Sequence, residues 1–169
     1  EINTTVETFT NIGASKSWTP TLNTYASRIP GNDKTFTVEC ITYNGGTSIG
    51  TKTTTVKLVV PSSVKPSISN LALTRIDNGV PAAWGIYVQG KSKVQVDITA
   101  SASQGSSLTG AVYNTSITGS ASKTGNPAIS DPLSTAGTVT ISSTVKDARG
   151  RTSSAYTNTI TVVAYSNPS

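Results

Sequence analysis

The sequence predicts an all-β protein assembled from tandem β-sandwich modules, and three observations carry that prediction. Apolar and polar residues alternate at period two in short blocks. The blocks are rich in Thr, Val, Ile and Tyr and are parted by Gly, Asn, Asp and Pro, the composition of strands and turns. A stretch of about two dozen residues in the first half also has a weak copy near the C-terminus. No segment repeats apolar residues at three- and four-residue spacing over the length a helix needs.

Phe36, Val38 and Cys40 share one predicted strand face, with Thr35, Thr37 and Glu39 on the other. In that setting Cys40 is expected to be a small buried hydrophobe. Asn44-Gly45-Gly46 supplies residues that tolerate positive φ, as a tight hairpin requires. Val56, Leu58 and Val60 form the return strand. Pro61-Ser62-Ser63-Val64-Lys65-Pro66 interrupts pairing and predicts a short stiff linker, so the expected modules are 1–61 and 67–169, with 62–66 between them.

In the second module Trp84, Ile86 and Val88 read as an inward-facing strand, which makes Trp84 a core residue. Val94, Val96 and Ile98 read as the next strand. Gln89-Gly90-Lys91-Ser92 between them reads as a hairpin tip. A phosphate cradle would need several glycines opening onto a helix N-terminus, and no helix follows. Val139, Ile141 and Val145, then Ile160, Val162 and Ala164, complete the series around a turn at Asp147-Ala148-Arg149-Gly150.

The repeat lays "FTVECITYNGGTSIGTKTTTVKLVV" on "VTISSTVKDARGRTSSAYTNTITVVA". Phe36 falls on Val139 and Asn44 on Asp147. Beyond a second turn that is one residue longer, Leu58 falls on Val162 and Val60 on Ala164. The second module has the size of an immunoglobulin-like domain. The first is shorter: it is a smaller sandwich, or its opening strands lie upstream of Glu1. The start at Glu1 without an initiator methionine suits a processed product or a piece of something longer.

Composition narrows the function. The 169 residues include no histidine and no methionine, so the commonest general base and zinc ligand is missing. The single cysteine rules out an internal disulfide and a thiolate metal cluster. The net charge of +5 comes from basic residues scattered along the chain, without the run or face that nucleic acid requires. No apolar run reaches the roughly 18 residues that span a bilayer. The eight carboxylates form no calcium-loop spacing. The chain is therefore expected to be no enzyme, to hold no cofactor or metal, and to bind neither nucleic acid nor membrane.

The remaining candidates are glycan contacts, because aromatic faces stack on sugar rings: Trp18, Trp84 and the six tyrosines could form such a platform, although alternation with Ile86 and Val88 assigns Trp84 to the core. Tyr87, on the face opposite Trp84, is the best of these, with Tyr43 at a turn and Tyr113 behind it. Arg149 and Arg151 flank Gly150 beside Asp147. They form either a basic tip for an anionic glycopolymer or, as the turn chemistry favours, a loop whose Asp147 caps backbone amides while the arginines lie in solvent or pair with it.

"VQGKSKVQV", "VKDARGRT" and the closing "VVAYSNP" resemble a recurrent pattern in siphophage minor structural proteins, tail components of phages infecting Gram-positive bacteria. There an "FVQGKSK" hairpin is followed by "DSRGRT" and "AYxxP". The stretch from Trp18, "WTPTLNTYASRIPGNDKTFTVECITYNGGTSIG", resembles the family's preceding module. Ala148 departs from the family's serine, and "SNLALTRIDNGVPAAW" is more polar than its pattern. The resemblance implies a virion tail location, outside the host and at its surface, with other tail proteins as partners and host cell-wall polysaccharide as a weak second ligand. It carries over no binding residue. The expected function is a rigid, non-enzymatic tail or baseplate spacer. The alternatives are a stalk or ligand-binding segment of a bacterial surface adhesin, and the accessory binding domain of a cell-wall hydrolase.

Overall fold

The computed structural model describes residues 5–77 and 79–166. They form two compact units, Glu1–Val64 with Gln104–Ser106, and Lys65–Ser103 with Ser107–Ser169.

The first unit is built on one long antiparallel hairpin, β1 (Asp33–Asn44) and β2 (Thr47–Val59). Gly45, at φ 55, starts the two-residue turn where the Asn-Gly-Gly signal puts it. Ahead of the hairpin lie one α-helical turn, α1 (Leu22–Tyr25), and a 3-10 turn, Ala26–Arg28. Ala26, Ile29 and Val60 make a small core at the base of the hairpin, flanked by Leu22, Tyr25, Phe36, Leu58 and Val64.

That core stops short. Val38 is 48 % exposed and Cys40 is also exposed, against the expectation of a buried face. Period-two alternation says which residues share a face, but burial needs a second layer over that face. Among the described residues the helical turn covers only the end near Phe36 and Leu58. Val64, after the Pro61 break, packs on this core.

The second unit is a two-sheet sandwich. One sheet has the order β3 (Ser67–Ile76), β5 (Lys93–Ser101), β8 (Ala128–Ile129). The other has the order β4 (Tyr87–Val88), β10 (Tyr156–Val163), β9 (Gly137–Lys146), β6 (Val112–Ile117), β7 (Lys123–Thr124). All strand pairs are antiparallel except β4 with β10. With β3, β5 and β8 as strands A, B and E, and β6, β9 and β10 as C, F and G, this is the immunoglobulin-type strand order.

Most of the alternating residues face inward as the sequence predicts; Ala164, counted with Ile160 and Val162, lies past the end of β10 and is exposed. Leu71, Val94, Val96, Ile98, Ile117, Leu133, Val139, Ile141, Val145 and Val162 form one core between the sheets. Each such burial stabilises by about 1.5–3 kcal/mol relative to exposure. The repeat holds at the level of pairing: Phe36 faces Val56 across β1 and β2, and the aligned Val139 faces Ile160 across β9 and β10. The hairpin of the first unit therefore corresponds to the closing F–G hairpin of the sandwich.

Two expectations change here. Trp84 does not lie on a strand. It ends a 3-10 turn, Ala82–Trp84, and is 62 % exposed. The period-two count ran through Gly85, which adopts φ 65 and breaks an extended run, so only Tyr87 and Val88 pair as a strand. Gly90-Lys91-Ser92 is also not a hairpin tip, because β4 and β5 belong to different sheets. It is a corner that carries the chain from one sheet to the other. The Ser92 hydroxyl is fully buried and accepts the Val88 N–H at 2.9 Å, while the Gly90 N–H donates to the Leu133 carbonyl at 2.7 Å. Loop amides that a phosphate would need are thus engaged with the protein's own backbone.

Buried serines play the same part elsewhere. Ser130 accepts the N–H of Val94, and Ser153 that of Val145. Asn126 mimics a strand neighbour, accepting the Ile98 N–H and donating to the Ile98 carbonyl, both at 2.8 Å. These side chains satisfy backbone groups at places where the ladder ends.

Candidate functional site

The sequence-nominated residues separate. Tyr43 lies near the hairpin tip of the first unit, 60 % exposed. Tyr113, on β6, and Tyr87, on β4, are only half-exposed, and each packs against the sandwich core. Arg149 and Arg151 do come together around Asp147, but Asp147 and Arg149 are interior and Arg151, half-exposed, meets the carboxylate through its backbone amide. Asp147 is 4 % exposed and Arg149 5 %. The Ser103 hydroxyl donates to Asp147 Oδ2 at 2.6 Å, Arg149 Nη1 donates to Ser103 Oγ at 3.2 Å, and the Arg151 N–H donates to Asp147 Oδ1 at 3.1 Å.

Asp147 thus caps the turn as expected, but Arg149 does not lie in solvent. Burial pulls its guanidinium below the ordinary arginine value, Arg151 adds to the fall, and Asp147 opposes it. Sequence reasoning had no view of Ser103, which sits in the loop after β5. Arg149 is consequently no surface for a glycopolymer.

A different cluster forms around the end of β3. The Arg75 guanidinium donates to the Ile86 carbonyl at 2.6 Å and to the Ala82 carbonyl at 2.8 Å. It also grips Asp77 with two contacts, Nε to Oδ1 at 2.8 Å and Nη2 to Oδ2 at 3.2 Å. These bonds reach the chain two residues before and two residues after Trp84. The turn is closed from within as well, by the Trp84 N–H on the Pro81 carbonyl and the Gly85 N–H on the Ala82 carbonyl. The only sequence signals for it were Pro81 and Gly85, which bracket the tryptophan.

Tyr87 lies in the field of the same pair. Burial raises its phenol above the ordinary value, Arg75 opposes the rise and Asp77 adds to it. The folded chain therefore holds the phenolic proton more tightly than the unfolded chain. The difference has no effect below about pH 10, the ordinary phenol value, and erodes stability as pH climbs from there toward the raised value. In thermal melts from about pH 10 upward the wild-type chain should lose stability more steeply than Tyr87→Phe. Equal slopes would contradict this placement of Tyr87.

Among the described residues no group of three or more His, Cys, Asp or Glu is placed to hold a metal ion, and no helix is long and apolar enough to cross a membrane.

No curated protein matches the sequence. Among solved structures, the fibronectin(III)-like modules of Clostridium thermocellum CbhA are similar at a TM-score of 0.40 and 19 % identity, over 80 % of each chain. The family model described as "Siphovirus protein of unknown function (DUF859)" matches residues 2–169, in keeping with the resemblance carried by "VQGKSK" and "DARGRT". By that match the chain belongs to this family of siphovirus proteins.

Proposed function

We propose that the chain is a non-enzymatic structural protein of the virion tail or baseplate, in which an immunoglobulin-type sandwich and the hairpin unit before it act as a spacer and make weak contacts with host cell-wall glycan. The observation that carries the spacer reading is the repeat of one hairpin in both units with the same cross-strand pairing, Phe36 with Val56 and Val139 with Ile160. A chain that repeats a structural unit gains length with each copy, and here each unit carries its own core. The sandwich interior supports the same reading. Its buried serines, Asn126 and the Asp147 cluster tie strands and loops together, which suits a module that transmits position.

Siphovirus family membership favours the virion over a bacterial surface adhesin. In this reading the partners are other tail proteins, and the site of action is outside the cell, at the host surface. The test is cryo-electron microscopy of intact virions decorated with an antibody raised against this chain. Label at the distal tail is expected. Label on the capsid, or particles that carry none of the chain, would overturn the assignment.

A further inference from the structure

We propose that Trp84 is a stacking platform for a pyranose ring of a cell-wall polysaccharide, with the Asp77 carboxylate, held by the same Arg75 that ties the tryptophan's turn, as an acceptor for the sugar's hydroxyls. The inference rests on the reading of the chain as a host-contacting tail protein, and it assigns the glycan contact to a residue that alternation alone would bury.

The first ground is exposure under restraint. A large aromatic side chain that is 62 % exposed is usually free to fold back on the nearest apolar surface. Here the backbone on both sides of Trp84 is tied to one guanidinium, through the Ala82 and Ile86 carbonyls, and Gly85 at φ 65 sets the exit direction. Arg75 is itself held by a bidentate contact to Asp77. A ligand meeting this turn finds its backbone already ordered, so little conformational entropy is lost on binding.

The second ground is the chemistry around the ring. The electron-rich face of an indole attracts the C–H face of a sugar, as it attracts the positive edges of other rings. A pyranose also needs acceptors and donors at its rim. Asp77 supplies a carboxylate that is fixed by Arg75 and stays partly open to solvent.

The third ground is size. The residues flanking the tryptophan are Pro81, Ala82, Ala83 and Gly85, all exposed and all small or compact. One indole among such neighbours matches one sugar ring. A protein partner would need an interface of about 1,000 Å² with several anchors. Weak single contacts of this kind become useful when many copies engage a repeating polymer together.

The test uses the intact chain against purified wall polysaccharides from a panel of Gram-positive strains, read by biolayer interferometry. A second readout is tryptophan fluorescence in a Trp18→Phe background, where Trp84 alone reports. Wild type is expected to bind at least one polysaccharide and to shift the Trp84 emission. Trp84→Ala should weaken binding tenfold or more, and Trp84→Phe should fall between the two. Thermal melts should be unchanged, since an exposed side chain contributes little to the core. Undiminished binding by Trp84→Ala would overturn the platform while leaving wall-glycan binding in place. Wild type binding nothing in the panel would overturn both the platform and the glycan part of the proposed function. If Trp84→Ala bound normally yet failed to enter virions, the turn would be a protein-docking site and the proposal wrong.

Discussion

Asp147→Ala is expected to destabilise the second unit by roughly 2–4 kcal/mol, because a buried carboxylate that accepts two hydrogen bonds is removed, and bonds to a charged group are worth about 1.5–3 kcal/mol each. The carboxylate accepts from the Ser103 hydroxyl and the Arg151 amide, and its charge offsets part of the cost of burying Arg149. Removing it leaves the guanidinium interior without that compensation, and leaves a backbone amide of the turn without its cap. The measurement is urea unfolding followed by circular dichroism in the strand region. Arg149→Leu in the Asp147→Ala background should recover part of the loss, because the cost of burying the guanidinium goes with it. A cost below about 1 kcal/mol would mean that the cluster behaves like a solvent-screened surface pair.

Gly119→Ala should cost about 3 kcal/mol, from two causes that add. Gly119 sits at φ 78, where an L-residue with a Cβ loses about 1–2 kcal/mol. The new Cβ would also lie 2.5 Å from Thr135 Oγ1 and 2.9 Å from the Thr135 backbone nitrogen. Forcing a methyl into packed space adds about 1–3 kcal/mol. Shortening the neighbour is no remedy: in Thr135→Ala the backbone nitrogen remains, and this segment is pinned by Ser134, whose N–H and hydroxyl both donate to the Gly119 carbonyl at 3.0 and 2.8 Å. Gly110→Ala separates the two causes, for it has a similar φ of 69 with open space where the Cβ would go. It should lose only the backbone share. Equal costs for the two substitutions would show that Thr135 yields and that only the backbone conformation matters.

The sandwich strands were legible because their residues alternate and their partners are one another. Val94, Val96 and Ile98, or Val139, Ile141 and Val145, need only a second sheet across from them, and the chain supplies it. The same pattern misled at Val38 and Cys40, where the segment before the hairpin lines the far side of an open cavity and does not pack on the strand face. It misled again at Trp84, where one left-handed glycine shifted an apparent strand residue to the surface.

Among the candidate contacts, Tyr43 is exposed as a turn residue should be, whereas Arg149 was drawn inside by Ser103, far away in sequence. No local signal marks that. A serine in a polar loop has the same appearance whether it meets water or a buried carboxylate.

The sequence by itself determined the all-β class, the hairpin turn at Gly45, the inward faces of the sandwich and, through its motifs, the siphovirus family. These depend on side-chain periodicity and on backbone preferences of single residues, both of which are local. Only the tertiary structure decided that Ser92, Ser130 and Ser153 are interior, that the Gly90 turn joins two sheets, and that Arg75 clamps an exposed tryptophan. Each of those follows from which distant group a short polar side chain or a guanidinium reaches, and that reach exists only once the sheets have packed.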